Sequence, residues 1–170
     1  MSNLTILGDT SGSVVLQAPA VSGSTTITFA AQSGTLNVGG PAFSAYQSSA
    51  QTLSTATFTK ILYQTEEFDT NSNFASSTFT PTVAGYYQVV GAVQFGSATT
   101  CAVRIYKNGS NLKQVFNSVT SSVSTGSGTA LIYMNGSTDY VEIFAYLGAG
   151  QALTADVTTT YFQASLVRTA

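Results

Sequence analysis

Apolar and polar positions alternate with a period of two along most of this chain, and no window repeats apolar residues at helical spacing over three turns. The pattern predicts an all-β protein. Residues 101 to 106, "CAVRIY", place Cys101, Val103 and Ile105 on one face and Ala102, Arg104 and Tyr106 on the other, as a strand with one inward face does. "KNGSN" follows. Asn108-Gly109 accepts the positive φ of a tight turn, so the chain is expected to return through "LKQVF" as a hairpin. Asn135-Gly136 carries the same signal between "ALIYM" and "DYVEIFAY" and predicts a second hairpin.

Some strands are apolar on both faces. In "DYVEIFAYL", Val141, Ile143, Ala145 and Leu147 oppose Tyr140, Glu142, Phe144 and Tyr146. Cover is therefore expected on both sides: a second sheet on one, and on the other a neighbouring subunit that meets Tyr140, Phe144 and Tyr146. The C-terminal "TTTYFQASLVR" alternates in the same way and is expected to end inside the fold. Ahead of Gly39-Gly40-Pro41 the chain is different, with short Ser/Thr-rich pieces ("VVLQA", "TTITFAA", "TLNV") between Gly-containing turns. One aromatic residue, Phe29, precedes this seam and the other eighteen follow it. The expected organisation is a small β module with its linker over 1–40 and a β domain over 41–170. So short a module has too little to bury to fold alone and is expected to draw its stability from other chains.

Charge sharpens this picture. Only 7% of residues are charged, against about 25% in an average soluble domain, and the net charge is -2. A surface with so few charges suits burial between copies, so a homo-oligomer is expected. No charge lies between Asp9 and Lys60, yet Ser, Thr, Gly and Pro interrupt that stretch and no run of roughly 20 apolar residues exists to enter a membrane. The N-terminus lacks the basic and apolar regions of a secretory signal. Lys60, Arg104, Lys107, Lys113 and Arg168 are scattered rather than striped, which argues against nucleic acid as a partner. The one cysteine, Cys101, reads as a buried apolar residue. Asn3, Asn108 and Asn135 match glycosylation sequons and read as turn residues.

The chain has no histidine, so the usual general base is missing. Glu66 and Glu67 are sequence neighbours on a predicted strand and should point to opposite faces, unlike a glycosidase pair. "FDTNSN" offers Asp69, Asn71 and Asn73 at alternate positions, a spacing compatible with a calcium loop but better read as an Asx-type turn. No catalytic, cofactor-binding or metal-binding residue is expected.

In order along residues 42 to 167, "AFSAY", "FTKILYQTEEFDTNSNF", "FTPTVAGYYQV", "VRIYKNG", "STDYVEIFAY" and "YFQASLV" resemble segments of the globular heads of complement component one, subcomponent q, and their tumour-necrosis-factor-like relatives. The resemblance implies a jelly-roll sandwich assembled as a homotrimer. It also implies a structural corner, with Phe79 anchoring the core, Pro81 and Gly85 shaping the turn and Tyr87 opening a central strand; Ser77 stands where that family usually has glycine. The N-terminal piece, with Gly12, "LQAPA", "TTITF" and "SGTL", resembles a short β module of bacteriophage tail-fibre and virion-surface proteins. Together these imply a non-enzymatic structural protein of the virion surface, a capsid decoration knob or short head fibre, docked on other virion proteins through its N-terminal module. The alternative is a tail-fibre tip that contacts host glycans, for which the loops "KNGSN" and "MNGSTD" offer amides and hydroxyls.

Overall fold

The computed structural model describes residues 3–7, 11, 13–17, 39–96, 100–119, 124–149, 153 and 155–170. The chain divides into two compact units, Met1–Gly34 and Thr35–Ala170. In the first, β1 (Asn3–Leu7) and β2 (Ser13–Gln17) pair antiparallel, Thr5 opposite Val15. Gly12 and the expected pieces "TTITFAA" and "TLNV" lie outside the described residues.

The second unit is a two-sheet sandwich. Its strands are β3 (Ala42–Tyr46), β4 (Thr59–Lys60), β5 (Thr65–Asp69), β6 (Phe74–Ala75), β7 (Thr78–Phe79), β8 (Ala84–Phe95), β9 (Thr100–Lys107), β10 (Ser110–Val119), β11 (Ser124–Asn135), β12 (Val141–Leu147) and β13 (Tyr161–Thr169). One sheet runs β11-β8-β13-β3-β5; the other runs β10-β9-β12-β7-β6, with β4 also on β12. Every pairing between these named strands is antiparallel. The alternation in the sequence is what lets the sheets close on each other. Val103, Ile105, Val141, Ile143 and Leu147 from one sheet and Tyr87, Val89, Val93 and Phe162 from the other are all fully buried. Phe43 is packed among three rings, stacked on Phe74 and Phe79 at 4.7 and 4.6 Å and edge-on to Phe162 at 4.8 Å. Burying each such ring contributes about 1.5–3 kcal/mol.

The corner before β8 follows from that packing. Phe79 sits at the centre of the core with Tyr87 edge-on at 5.6 Å, and the Tyr87 hydroxyl donates back to Val83 O at 2.8 Å. Pro81 is buried just ahead of the ladder, where its missing N–H costs nothing. Gly85 has a different duty from the turn-forming one expected. Its φ is not positive; instead a side chain there would strike Arg168 O and Leu166 of β13, so glycine permits two strands to approach. Ser76 and Ser77 make the two-residue turn between β6 and β7 at φ 51° and 59°, a region that favours glycine. Ser77 offsets this strain by accepting from Tyr63 N at 2.8 Å and donating to Tyr63 O at 3.3 Å.

Two local expectations are corrected. Asn108-Gly109 forms the hairpin between β9 and β10, with both residues at positive φ. Asn135-Gly136 does not form one: β11 pairs with β8, whereas β12 pairs with β9 in the opposite sheet, so the dipeptide turns a corner between sheets. Asn135 Oδ1 accepts the N–H groups of Ser137, Thr138 and Asp139, all at 3.0 Å, and this cap holds the corner. Nor does β5 alternate simply. Ala45 opposes Glu66 while Ser44 opposes Phe68, which leaves Glu67 in a bulge, its Oε2 accepting from the Ser44 hydroxyl at 2.5 Å.

Candidate interaction surfaces

With the core closed, what can act on another molecule is what each sheet turns outward. On the β11-β8-β13-β3-β5 sheet, Tyr86, Leu131, Tyr133 and Val167 are 42–59% exposed, a contiguity fixed by register: Tyr133 opposes Tyr86 with rings 5.6 Å apart, and Leu131 opposes Gln88. A shallow groove of about 460 Å³ is lined by Tyr86, Leu131, Val167, Arg168, Thr169 and Ala170. A second, of about 240 Å³, runs past Phe68, Val90 and Gln163. Ser44, inside this sheet, is sealed by Glu67 and by Gln163, whose Nε2 donates to its hydroxyl at 3.0 Å. The face is apolar at one end, where Arg168 lines the groove, and amide- and hydroxyl-bearing in the middle, with Glu67 beside Ser44. An exposed apolar patch of this kind marks an association surface.

The opposite sheet, β10-β9-β12-β7-β6, presents the residues expected to meet a subunit. Tyr140, Phe144 and Tyr146 are each half-buried. For two of them their own chain supplies a ring as cover: Phe144 stacks on Tyr106 at 4.0 Å, and Tyr146 tilts against Phe58 at 5.3 Å. Beside them Arg104 lies over the Phe58 ring at 3.9 Å and donates through Nε to Gln114 Oε1 at 3.0 Å. Lys60 is held by Glu142 at 2.7 Å and by the Thr78 hydroxyl at 2.7 Å. Leu131 and Tyr133 were not singled out from sequence, although "ALIYMN" alternates as "DYVEIFAY" does and carried the same two-faced signal.

Two amides of the polar loops, Asn108 and Asn135, are engaged within the molecule. Asn108 donates from Nδ2 to Asp139 Oδ1 at 2.8 Å and accepts from Tyr140 N at 3.0 Å. Asp139, nearly buried, also accepts from Asn135 N and pairs with Lys107 Nζ at 2.7 Å. The Asn108 bond, followed by that of Lys107, holds its carboxyl below the ordinary value. These loops were the expected glycan contacts; the Asn108 and Asn135 amides are engaged within the molecule, tying the Asn108 turn to the Asn135 corner, while Asn111 is exposed. Asp69 likewise accepts from Asn71 N and Phe74 N, and Asn73 Oδ1 accepts from Thr82 N, which makes "FDTNSN" a self-satisfied turn. Cys101 is fully buried, and burial pushes its thiol pKa up, away from the reactive thiolate.

No family model and no curated protein matches the chain. Solved structures do. The globular domain of zebrafish complement 1qA protein superposes with a TM-score of 0.61 at 20% identity, covering 76% of this chain and 99% of that one. Murine APRIL at pH 5.0 gives 0.61 at 9% identity, covering 75% and 99%. Eiger TNF from S. frugiperda gives 0.60 at 8%, covering 78% and 95%. The chain is thus an all-β two-sheet sandwich resembling C1q and TNF globular domains.

Proposed function

We propose that this protein is a non-enzymatic homotrimeric knob whose heads associate through the outward face of the β11-β8-β13-β3-β5 sheet, and which its N-terminal module docks on the surface of a bacteriophage virion. The observation that carries the trimer is the exposed apolar patch of Tyr86, Leu131, Tyr133 and Val167. Domains of this fold commonly form homotrimers, which supports the same stoichiometry here. Placing the contact on this face rather than at the β12 rings is supported by the intramolecular cover that Phe144 and Tyr146 already have. The virion setting rests on the likeness of the N-terminal piece to phage modules.

Analytical ultracentrifugation of the full chain is expected to give a trimer at micromolar concentration; a stable monomer would overturn the assembly reading. Antibody labelling of purified particles in the electron microscope is expected to decorate the virion surface. Particles free of the protein would remove the virion reading and leave the trimer untouched.

A further inference from the structure

We propose that the outward face of β9 and β12 is a binding site for a carboxylate-bearing sugar, with Arg104 as the carboxylate receptor and one outer ring face of the Phe144–Tyr106 stack as the platform for the sugar's C–H face. Lys113 on β10 is exposed to solvent, and of the half-buried cations on this sheet, Lys60 and Lys107 each have a carboxylate at 2.7 Å. Arg104 is half-buried like them, yet among the described residues it has no carboxylate partner. A partly desolvated cation without a counter-ion is costly to maintain.

Its surroundings orient it rather than neutralise it. Phe58 covers one guanidinium face at 3.9 Å, and Gln114 Oε1 takes the Nε proton at 3.0 Å. Of five N–H donors, the four on the terminal nitrogens have no acceptor among the described residues. A fixed planar fork with free terminal donors is the geometry that takes a carboxylate through two parallel hydrogen bonds. Directly across the ladder from Arg104 is Phe144, whose ring stacks on Tyr106 at 4.0 Å; each ring covers one face of the other, so what adjoins the fork is a single outer ring face of the stack. An apolar surface next to one oriented ionic donor matches a pyranose carrying a carboxylate. A phosphate or sulfate demands more positive charge than the site holds, because neighbouring Lys60 is committed to Glu142. All of these residues belong to one copy of the chain, so the site is independent of the assembly proposed above.

The test is titration of the full chain, followed by NMR and calorimetry, with a glucuronate-containing tetrasaccharide and with sialyllactose. The controls are the carboxyl-reduced tetrasaccharide, lactose and inorganic phosphate. At least one carboxylated sugar is expected to bind and to shift the ring resonances of Tyr106 and Phe144, with its neutral counterpart roughly tenfold weaker or worse, the scale of a charge-assisted contact. Arg104→Gln is expected to lose that preference. Arg104→Lys, which keeps a cation over Phe58 and so protects the fold, is expected to weaken binding by about the same factor, because a lysine has no planar fork. Absence of binding by both carboxylated sugars at millimolar concentration would overturn the proposal. So would equal binding of the neutral sugars, full competition by equimolar phosphate, or unchanged affinity in a folded Arg104→Lys protein.

Discussion

Asn108 and Asp139 are joined across 31 residues by a 2.8 Å hydrogen bond, and through it the β9–β10 turn is fastened to the corner that leads from β11 into β12. Lys107 closes the same knot from the other side of the Asp139 carboxylate, and also donates to Tyr133 O at 2.8 Å. The knot therefore links the two sheets at one end of the sandwich. It places a nearly buried carboxylate where losing its charge loosens both.

That carboxylate sets an acid limit. Asp139 has a folded pKa below its unfolded value of about 3.9, so its contribution is complete above that value and is lost as pH falls through the folded pKa. Thermal melts from pH 6 down to pH 2 are expected to hold level and then drop below about pH 4. Asp139→Asn is expected to be less stable at neutral pH and to show a shallower acid decline. An identical acid profile in that variant would move the acid lability elsewhere.

Assembly is expected to depend on Leu131 and to be indifferent to Phe144. Leu131 is 59% exposed in a single copy, so Leu131→Asp leaves the fold intact. In a packed interface the same aspartate is a buried unpaired charge costing several kcal/mol. Sedimentation is expected to shift to monomer for Leu131→Asp and to stay trimeric for Phe144→Ala. The reverse result would assign the contact to the other sheet.

Ser77 allows a direct stability measurement. Ser77→Ala keeps the positive φ but removes both contacts with Tyr63, leaving the Tyr63 N–H buried without a partner. Such a loss costs about 1–3 kcal/mol. Urea unfolding of the two proteins is expected to differ by that amount, and a difference near zero would show the hydroxyl to be replaceable.

The two Asn-Gly turns are expected to respond unequally to alanine. At Gly109, φ +75°, the nearest atom to an added side chain is Tyr140 Oη at 3.4 Å, so only the backbone penalty of about 1–2 kcal/mol applies. At Gly136, φ +72°, the added carbon also strikes the backbone of Val83 and Ala84. Gly136→Ala is expected to lower the melting temperature clearly more than Gly109→Ala. Equal shifts would mean that the corner yields.

Strand identity and strand facing were legible in the sequence because alternation is a local property. Val141, Ile143, Ala145 and Leu147 are buried as their spacing implies, and so are Cys101, Val103 and Ile105. The Asn108-Gly109 hairpin was equally local, since its strands adjoin it on both sides. The identical dipeptide at Asn135 became an inter-sheet corner because the partners of β11 and β12 lie far off in the chain, and pairing at a distance leaves no mark on the turn itself. Two-faced strands raised the same difficulty. The outer residues of β11 and β12 are similarly apolar, yet Phe144 is covered by Tyr106, and Tyr146 by Phe58, while Leu131 and Tyr133 stay open. Arg104 lacks a carboxylate for a kindred reason: Glu142, opposite Tyr106 on the next strand, turns to Lys60 instead. Inward facing could be read from a period-two pattern wherever a strand keeps it unbroken, as β9 and β12 do, but not in the bulged β5. Which outward faces remain uncovered and uncompensated depends instead on which distant strand arrives beside them, and that is a property of the folded chain alone.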